Sequence, residues 1–126
     1  MKTLLALILA ICCMACGIET PSANFENFSG TVDVRGIWSH PFHVDCRSCE
    51  ISAQLISSSP DSASIVTLGL TLQSNGVCQG VITSMLAGGN QNSLPYLATQ
   101  SDYCVFVADA GYLTRAQSVT VKVQHP

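Results

Sequence analysis

Four residues with metal-binding chemistry stand at every third position in one short stretch: His40, His43, Cys46 and Cys49. Two imidazoles and two thiolates are the ligand set of a tetrahedral zinc site, and they suit copper as well. Zinc modules usually separate their ligand pairs by a dozen or more residues, so that two elements converge on the ion. Here a single loop, stiffened by Pro41, must wrap it. Cys46-Arg47-Ser48-Cys49 also has the spacing of a redox C-x-x-C. Such motifs lower the thiol pKa at a helix N-terminus, and no helical pattern follows Cys49. The other reading of the stretch is a surface loop with solvated histidines and oxidised cysteines, and the compartment decides between the two.

The N-terminus names the compartment. Met1-Lys2 precedes an apolar run from Thr3 to Ala15, and Cys16-Gly17 follow it. That run falls short of the ~20 residues a membrane-spanning helix needs, and basic start, apolar core and small residues are the layout of a secretory signal. Residues 1–15 are read as signal peptide, 16–27 as attachment site and tether, and 28–126 as the folded domain. Ala15-Cys16-Gly17 at the end of the apolar core resembles the lipobox of bacterial lipoproteins. The small residue and the cysteine match, while Cys13 and Met14 depart from the pattern. The resemblance implies acylation of Cys16, which would become the first mature residue. With several acyl chains it would be stably anchored, and Gly17 behind it implies the outer membrane. An ordinary signal peptidase cut after Gly17 is the alternative.

Cysteine arithmetic follows from the signal. Of seven cysteines, Cys12 and Cys13 leave with it and Cys16 carries lipid or is removed. Cys46, Cys49, Cys78 and Cys104 remain, and in an oxidising compartment an even number reads as disulfides, with three connectivities open. The expected pairing is Cys46–Cys49 with Cys78–Cys104. Cys78 shares a strand face with Ile82, and Cys104 shares one with Phe106. If both faces turn inward, the two sulfurs meet in the core. The competing pairings would tie the loop holding Cys46 and Cys49 to the two strands.

These residues must be positioned by strands, because the patterning after the tether has period two. Val32, Val34 and Gly36 alternate with polar neighbours, as do Ile51, Ala53 and Leu55, and Val66, Leu68, Leu70 and Leu72. Ser74-Asn75-Gly76 then leads into Val77–Ile82, and Asn-Gly between apolar runs is a strong hairpin signal. Strands around Cys104–Ala108 and Val119–Gln124 complete six, with a seventh at Leu94–Ala98 interrupted by Pro95. The sequence predicts an all-β fold, a single antiparallel β-sandwich of about six or seven strands. The segment from Tyr103 to Tyr112, followed by Val119-x-Val-x-Val123, resembles immunoglobulin-like and prealbumin-like or carboxypeptidase-regulatory-like sandwiches. Tyr103 stands one residue before Cys104, where the antibody-type tyrosine corner has two.

Charge narrows the function. The chain carries five Lys+Arg against eight Asp+Glu, net −3, with no basic stripe, so phosphate-backbone binding to nucleic acid is excluded. No G-x-S-x-G, H-E-x-x-H, phosphate-binding loop or G-x-G-x-x-G occurs, and no cofactor is implied. The expectation is a non-enzymatic, lipid-anchored envelope protein, a disulfide-stapled sandwich presenting loops to a partner or ligand. The alternative is a periplasmic zinc- or copper-binding protein using His40, His43, Cys46 and Cys49.

Overall fold

The computed structural model describes residues 24–88 and 93–126. Eight strands follow one another: β1 (Asn24–Val32), β2 (Ile37–Val44), β3 (Cys49–Ser59), β4 (Val66–Ser74), β5 (Val77–Ala87), β6 (Leu94–Ala98), β7 (Ser101–Asp109) and β8 (Gln117–His125). They form two four-stranded antiparallel sheets, ordered β1-β8-β3-β6 and β2-β7-β4-β5. β1 thus pairs with β8, β2 with β7, β3 with β6 and β4 with β5: one long hairpin wound into two layers. That is the strand order of the eight-stranded jelly roll, two Greek keys wrapped as a sandwich.

The expected sandwich is present, with eight strands rather than six or seven. The additional strand is β2, the stretch read as a surface loop, with metal binding as the alternative. Its inward residues Trp38, His40, Phe42 and Val44 alternate with exposed Ile37, Ser39, Pro41 and His43. Pro41 is tolerated because β2 is an edge strand. β1 also departs from the expected span. It starts at Asn24, inside the segment read as tether, and Val34 lies in the turn after it. There Arg35 takes positive φ, and the Gly36 N–H donates to the Asp33 carbonyl at 2.8 Å.

Each sheet contributes one face to the core. Val119, Val121, Val123, Ile51, Ala53 and Leu55 of the first sheet meet Val66, Leu68, Leu70, Tyr103, Val105 and Val107 of the second, all buried. Burying a Val or Leu side chain contributes roughly 1.5–3 kcal/mol, so this layer dominates the favourable side of folding. On the flank where β1 faces β2, Phe28 stacks on His40 with centroids 3.9 Å apart. The Trp38 indole there occupies the space a Cβ at Gly30 would need. Tyr103 ties β7 to the preceding turn. Its hydroxyl donates to the Thr99 carbonyl at 3.0 Å and accepts the Thr99 N–H at 3.1 Å, the kind of contact a tyrosine corner makes.

The two outer faces differ. On the first sheet the outward residues include Asn27, Ser29, Thr120, Lys122 and Gln124, and the Ser29 and Thr120 hydroxyls lie 2.9 Å apart. On the second, one cross-strand row runs Ile37, Ala108, Thr67, Leu86 and the next Ser39, Phe106, Gly69, Ser84. Phe106 is only 4% exposed although it lies outside the inter-sheet core, and its ring packs against the bare backbone of Gly69.

β5 bends at this face. Between Leu70↔Thr83 and Leu72↔Gln79 the register slips, and Gly80 takes positive φ within the slip. Such a bulge kinks the strand. Neighbouring strands lie about 4.8 Å apart, so residues on β5 and β7, with β4 between them, would sit near 10 Å in a flat sheet. Cys78 and Cys104 nevertheless approach to 5.9 Å between Cα atoms, bonded through their sulfurs. The start of β5 has therefore left the plane and folded over Thr71 and Cys104 on the outer side.

Candidate functional site

The sandwich has two poles. At one lie the starts of β1 and β3, the end of β8, the turn at residues 99–100 and the loop at 45–48. At the other lie the connections at residues 33–36, 60–65 and 110–116. Asn24 pairs with His125 at the first pole, so the segment that precedes β1 enters there.

The first pole carries the residues singled out by spacing, and it separates them. Cys46 and Cys49 are joined to each other, Cα atoms 6.1 Å apart, at the entry to β3. This removes both sulfurs as thiolate ligands. His40 and His43, an odd number of residues apart on β2, point to opposite faces of the sheet. His40 turns in against Phe28, its Nδ1 donating to the Pro41 carbonyl at 2.8 Å. His43 turns out, its Nδ1 lying 2.7 Å from Asp102 Oδ1 across the β2–β7 pair. The spacing supplied a ligand set, but strand alternation sends its members apart. Among the described residues no group of three or more His, Cys, Asp or Glu gathers at one point. Beside them, Gln100 Nε2 donates to Asp45 at 2.9 Å, fixing the disulfide loop to the neighbouring turn.

Cys78 and Cys104 form the second disulfide, in the pairing expected from their strand faces. The location differs from the expectation. β7 sends Tyr103, Val105 and Val107 into the core, so Cys104 faces the outside of its sheet and is buried there under β5. Cys16, the lipid-attachment candidate, lies outside the described residues.

At the opposite pole two carboxylates organise the loops. Asp109, ending β7, accepts the Gly111, Tyr112 and Leu113 N–H groups on Oδ1 at 2.8–3.1 Å. Its Oδ2 accepts the Arg35 N–H at 2.8 Å, joining the β1–β2 turn to the β7–β8 loop. The Arg35 amide above all, and then the loop amides, hold the Asp109 carboxyl below its usual pKa, with burial opposing. Asp61 receives a two-point contact from Arg115, Nε at 2.9 Å and Nη2 at 2.7 Å. Fully buried Gln117 completes the group, donating to Asp61 Oδ2 at 2.8 Å and accepting the Asp61 N–H at 2.9 Å. Hydrogen bonding from Arg115 is the main cause that lowers the Asp61 pKa and raises that of Arg115.

Between these loops lies an open cleft of about 370 Å³ lined by Asp61, Ala63, Ser64, Ile65, Tyr112, Leu113 and Thr114. Tyr112 is 63% exposed and Ile65 also reaches solvent. These segments carry no strand periodicity and raise no functional expectation from the sequence. A signal was available in Asp109-Ala-Gly-Tyr, since an Asp accepting amides two to four residues on is ordinary loop chemistry. No family model matches the chain, and no curated protein is significantly similar to it in sequence.

Proposed function

We propose that the protein is a non-enzymatic, lipid-anchored component of a bacterial cell envelope, whose sandwich holds its far loops out to a partner or ligand. The observation that carries this reading is polarity. The chain enters the sandwich at Asn24 at one pole, and the cleft beside Tyr112 opens at the other. From Cys16 to Asn24 the tether can extend at most roughly 29 Å, at up to ~3.6 Å per residue. An acylated Cys16 therefore holds the first pole within that reach of the membrane, with the cleft at the opposite pole. Both disulfides accord with an oxidising compartment. The non-enzymatic part of the reading rests on the acids that organise the cleft. Asp61 is engaged by Arg115 and Gln117, and Asp109 by four amides, so their work is to hold loops in place.

The test is intact mass of the native protein together with Cys16→Ser. Acyl chains on a mature N-terminal Cys16 are expected, with the variant either released into the soluble fraction or left unprocessed. Normal processing and membrane retention of Cys16→Ser would reject the anchor.

A further inference from the structure

Each sheet ends in two edge strands, β1 and β6 in the first and β2 and β5 in the second. An edge strand offers a row of main-chain N–H and C=O groups to any extended chain, and proteins guard such edges with Pro, charge, brevity or cover. Three of the four edges here are guarded. β6 is five residues long and holds Pro95. β2 carries Pro41 in its middle, and β1 carries the Glu26 carboxylate. β1 and β2 also cover one another, with Phe28 stacked on His40 and the Trp38 indole filling the space above Gly30. β5 differs. Its 11 residues include no Pro and no charged side chain. The bulge at Gly80 shields only its start, because residues 83–87 pair with β4 in unbroken register. Among the described residues β4 is the one strand that pairs with β5. The core is also unfinished along this flank. Where β5 lies beside β6, Ile82, Met85 and Tyr96 pack on the core and stay partly exposed, while Val81 and Leu86 are 63% and 59% exposed.

We infer that residues 81–87 accept a strand from another polypeptide, an extended and uncharged segment with apolar side chains at alternate positions. Each part of that description comes from the edge itself. The main-chain groups require an extended partner, since a strand presents its N–H and C=O groups at the matching spacing. The half-finished margin requires alternation. Successive side chains of an added strand point to opposite faces, so one set covers the core margin at Met85 while the other lies beside Leu86 on the outer side. Neutrality follows from the surroundings. No Asp, Glu, Lys, Arg or His occurs between Asp61 and Asp102, a span that holds β4, β5 and β6, so a charge brought onto this edge would be desolvated without a partner there. The chain's own tether does not fit the description. Residues 16–23 contain Glu19 and Pro21, and they lead into β1 on the opposite flank. The strand site shares no residue with the cleft and does not depend on Cys16, so it stands or falls apart from the proposed function.

The probe is the end-capped peptide Thr-Val-Thr-Val-Thr-Val-Thr, added to the full chain purified in detergent, and the readout is residue-resolved amide exchange. The peptide is expected to slow exchange at every second amide of residues 81–87 at least tenfold, leaving the other three edge strands unchanged. A peptide with two adjacent Pro at its centre, one in each hydrogen-bonding phase, is expected to protect nothing. Leu86→Lys gives β5 the kind of guard it lacks and is expected to cut the protection at least fivefold, whereas Ile37→Lys on the β2 edge leaves it unchanged. Leu86 and Ile37 are already exposed, so both variants keep their core, and retention of both disulfides checks their fold. Four results would each overturn the proposal: no protection, equal protection by the Pro peptide, protection on another edge instead, or the same amides protected without peptide as protein concentration rises, which would give the edge to a second copy.

Discussion

Single side chains in this protein decide more than their size suggests. Gly69 leaves the room that the Phe106 ring fills, and an added Cβ would overlap that ring and approach the Thr83 carbonyl to 2.9 Å. Gly69→Ala is therefore expected to cost about 1–3 kcal/mol, as overpacking does, read as a shifted urea midpoint. Thr71 Oγ1, buried on the same face, has no hydrogen-bond partner. Thr71→Val removes a desolvated hydroxyl at nearly constant shape, and a gain of about 1 kcal/mol is expected in the same measurement. Asp61 and Asp109 set the acid response. Both have folded pKa values below the ordinary carboxyl range, so their stabilisation is complete above about pH 4 and is lost as pH falls through the folded values. Amide exchange at Gly111, Tyr112 and Leu113, corrected for intrinsic rate, should rise on acidification. In Asp109→Ala the same amides should exchange fast already at neutral pH. Exchange unchanged in that variant would show that the loop needs no carboxylate.

At the scale of elements, the two disulfides differ in what they constrain. Cys78–Cys104 spans 26 positions and Cys46–Cys49 three. Chain entropy then assigns about 3.5 kcal/mol to the first and about 2 to the second. Replacing each pair by Ala should lower the urea midpoint in that order, and the reverse order would place the effect in the native state. Strand identity was legible wherever alternation used aliphatic residues, as in Val66–Leu72 and Val119–Val123. The turn at Asn75-Gly76 was legible too, and both residues take the positive φ that a tight hairpin needs. β2 was not, because its inward set is Trp38, His40 and Phe42 and its middle holds Pro41, so side-chain chemistry outweighed a period of two. The disulfide pairing agrees with the expectation, but the premise that Cys78 and Cys104 both face the core does not hold, because the kink at Gly80 brings them together on the outer side of the sheet. The cleft was illegible for a related reason: its walls come from loops that only the two-sheet wrap brings together.

For the whole molecule, the pairing of distant strands has a kinetic consequence. β4 and β5 are joined by a two-residue turn, whereas Asn24 must find His125 near the far end of the chain. Each pairing encloses the one before it, so closing the outer strands first would carry a large loop-entropy cost. The order of least cost runs from the middle outward, β4 with β5, β3 with β6, β2 with β7 and β1 with β8. Substitutions in the Asn75-Gly76 turn are then expected to slow refolding, and Glu26→Ala, which removes the 2.6 Å contact to His125, to speed unfolding instead. Stopped-flow kinetics separates the two, and equal effects on both arms would refute the order. An exported chain emerges N-terminus first, yet β1 is the strand that must wait for β8. Until synthesis is complete, β1 has no partner strand to hold it, and a chaperone has its longest window there.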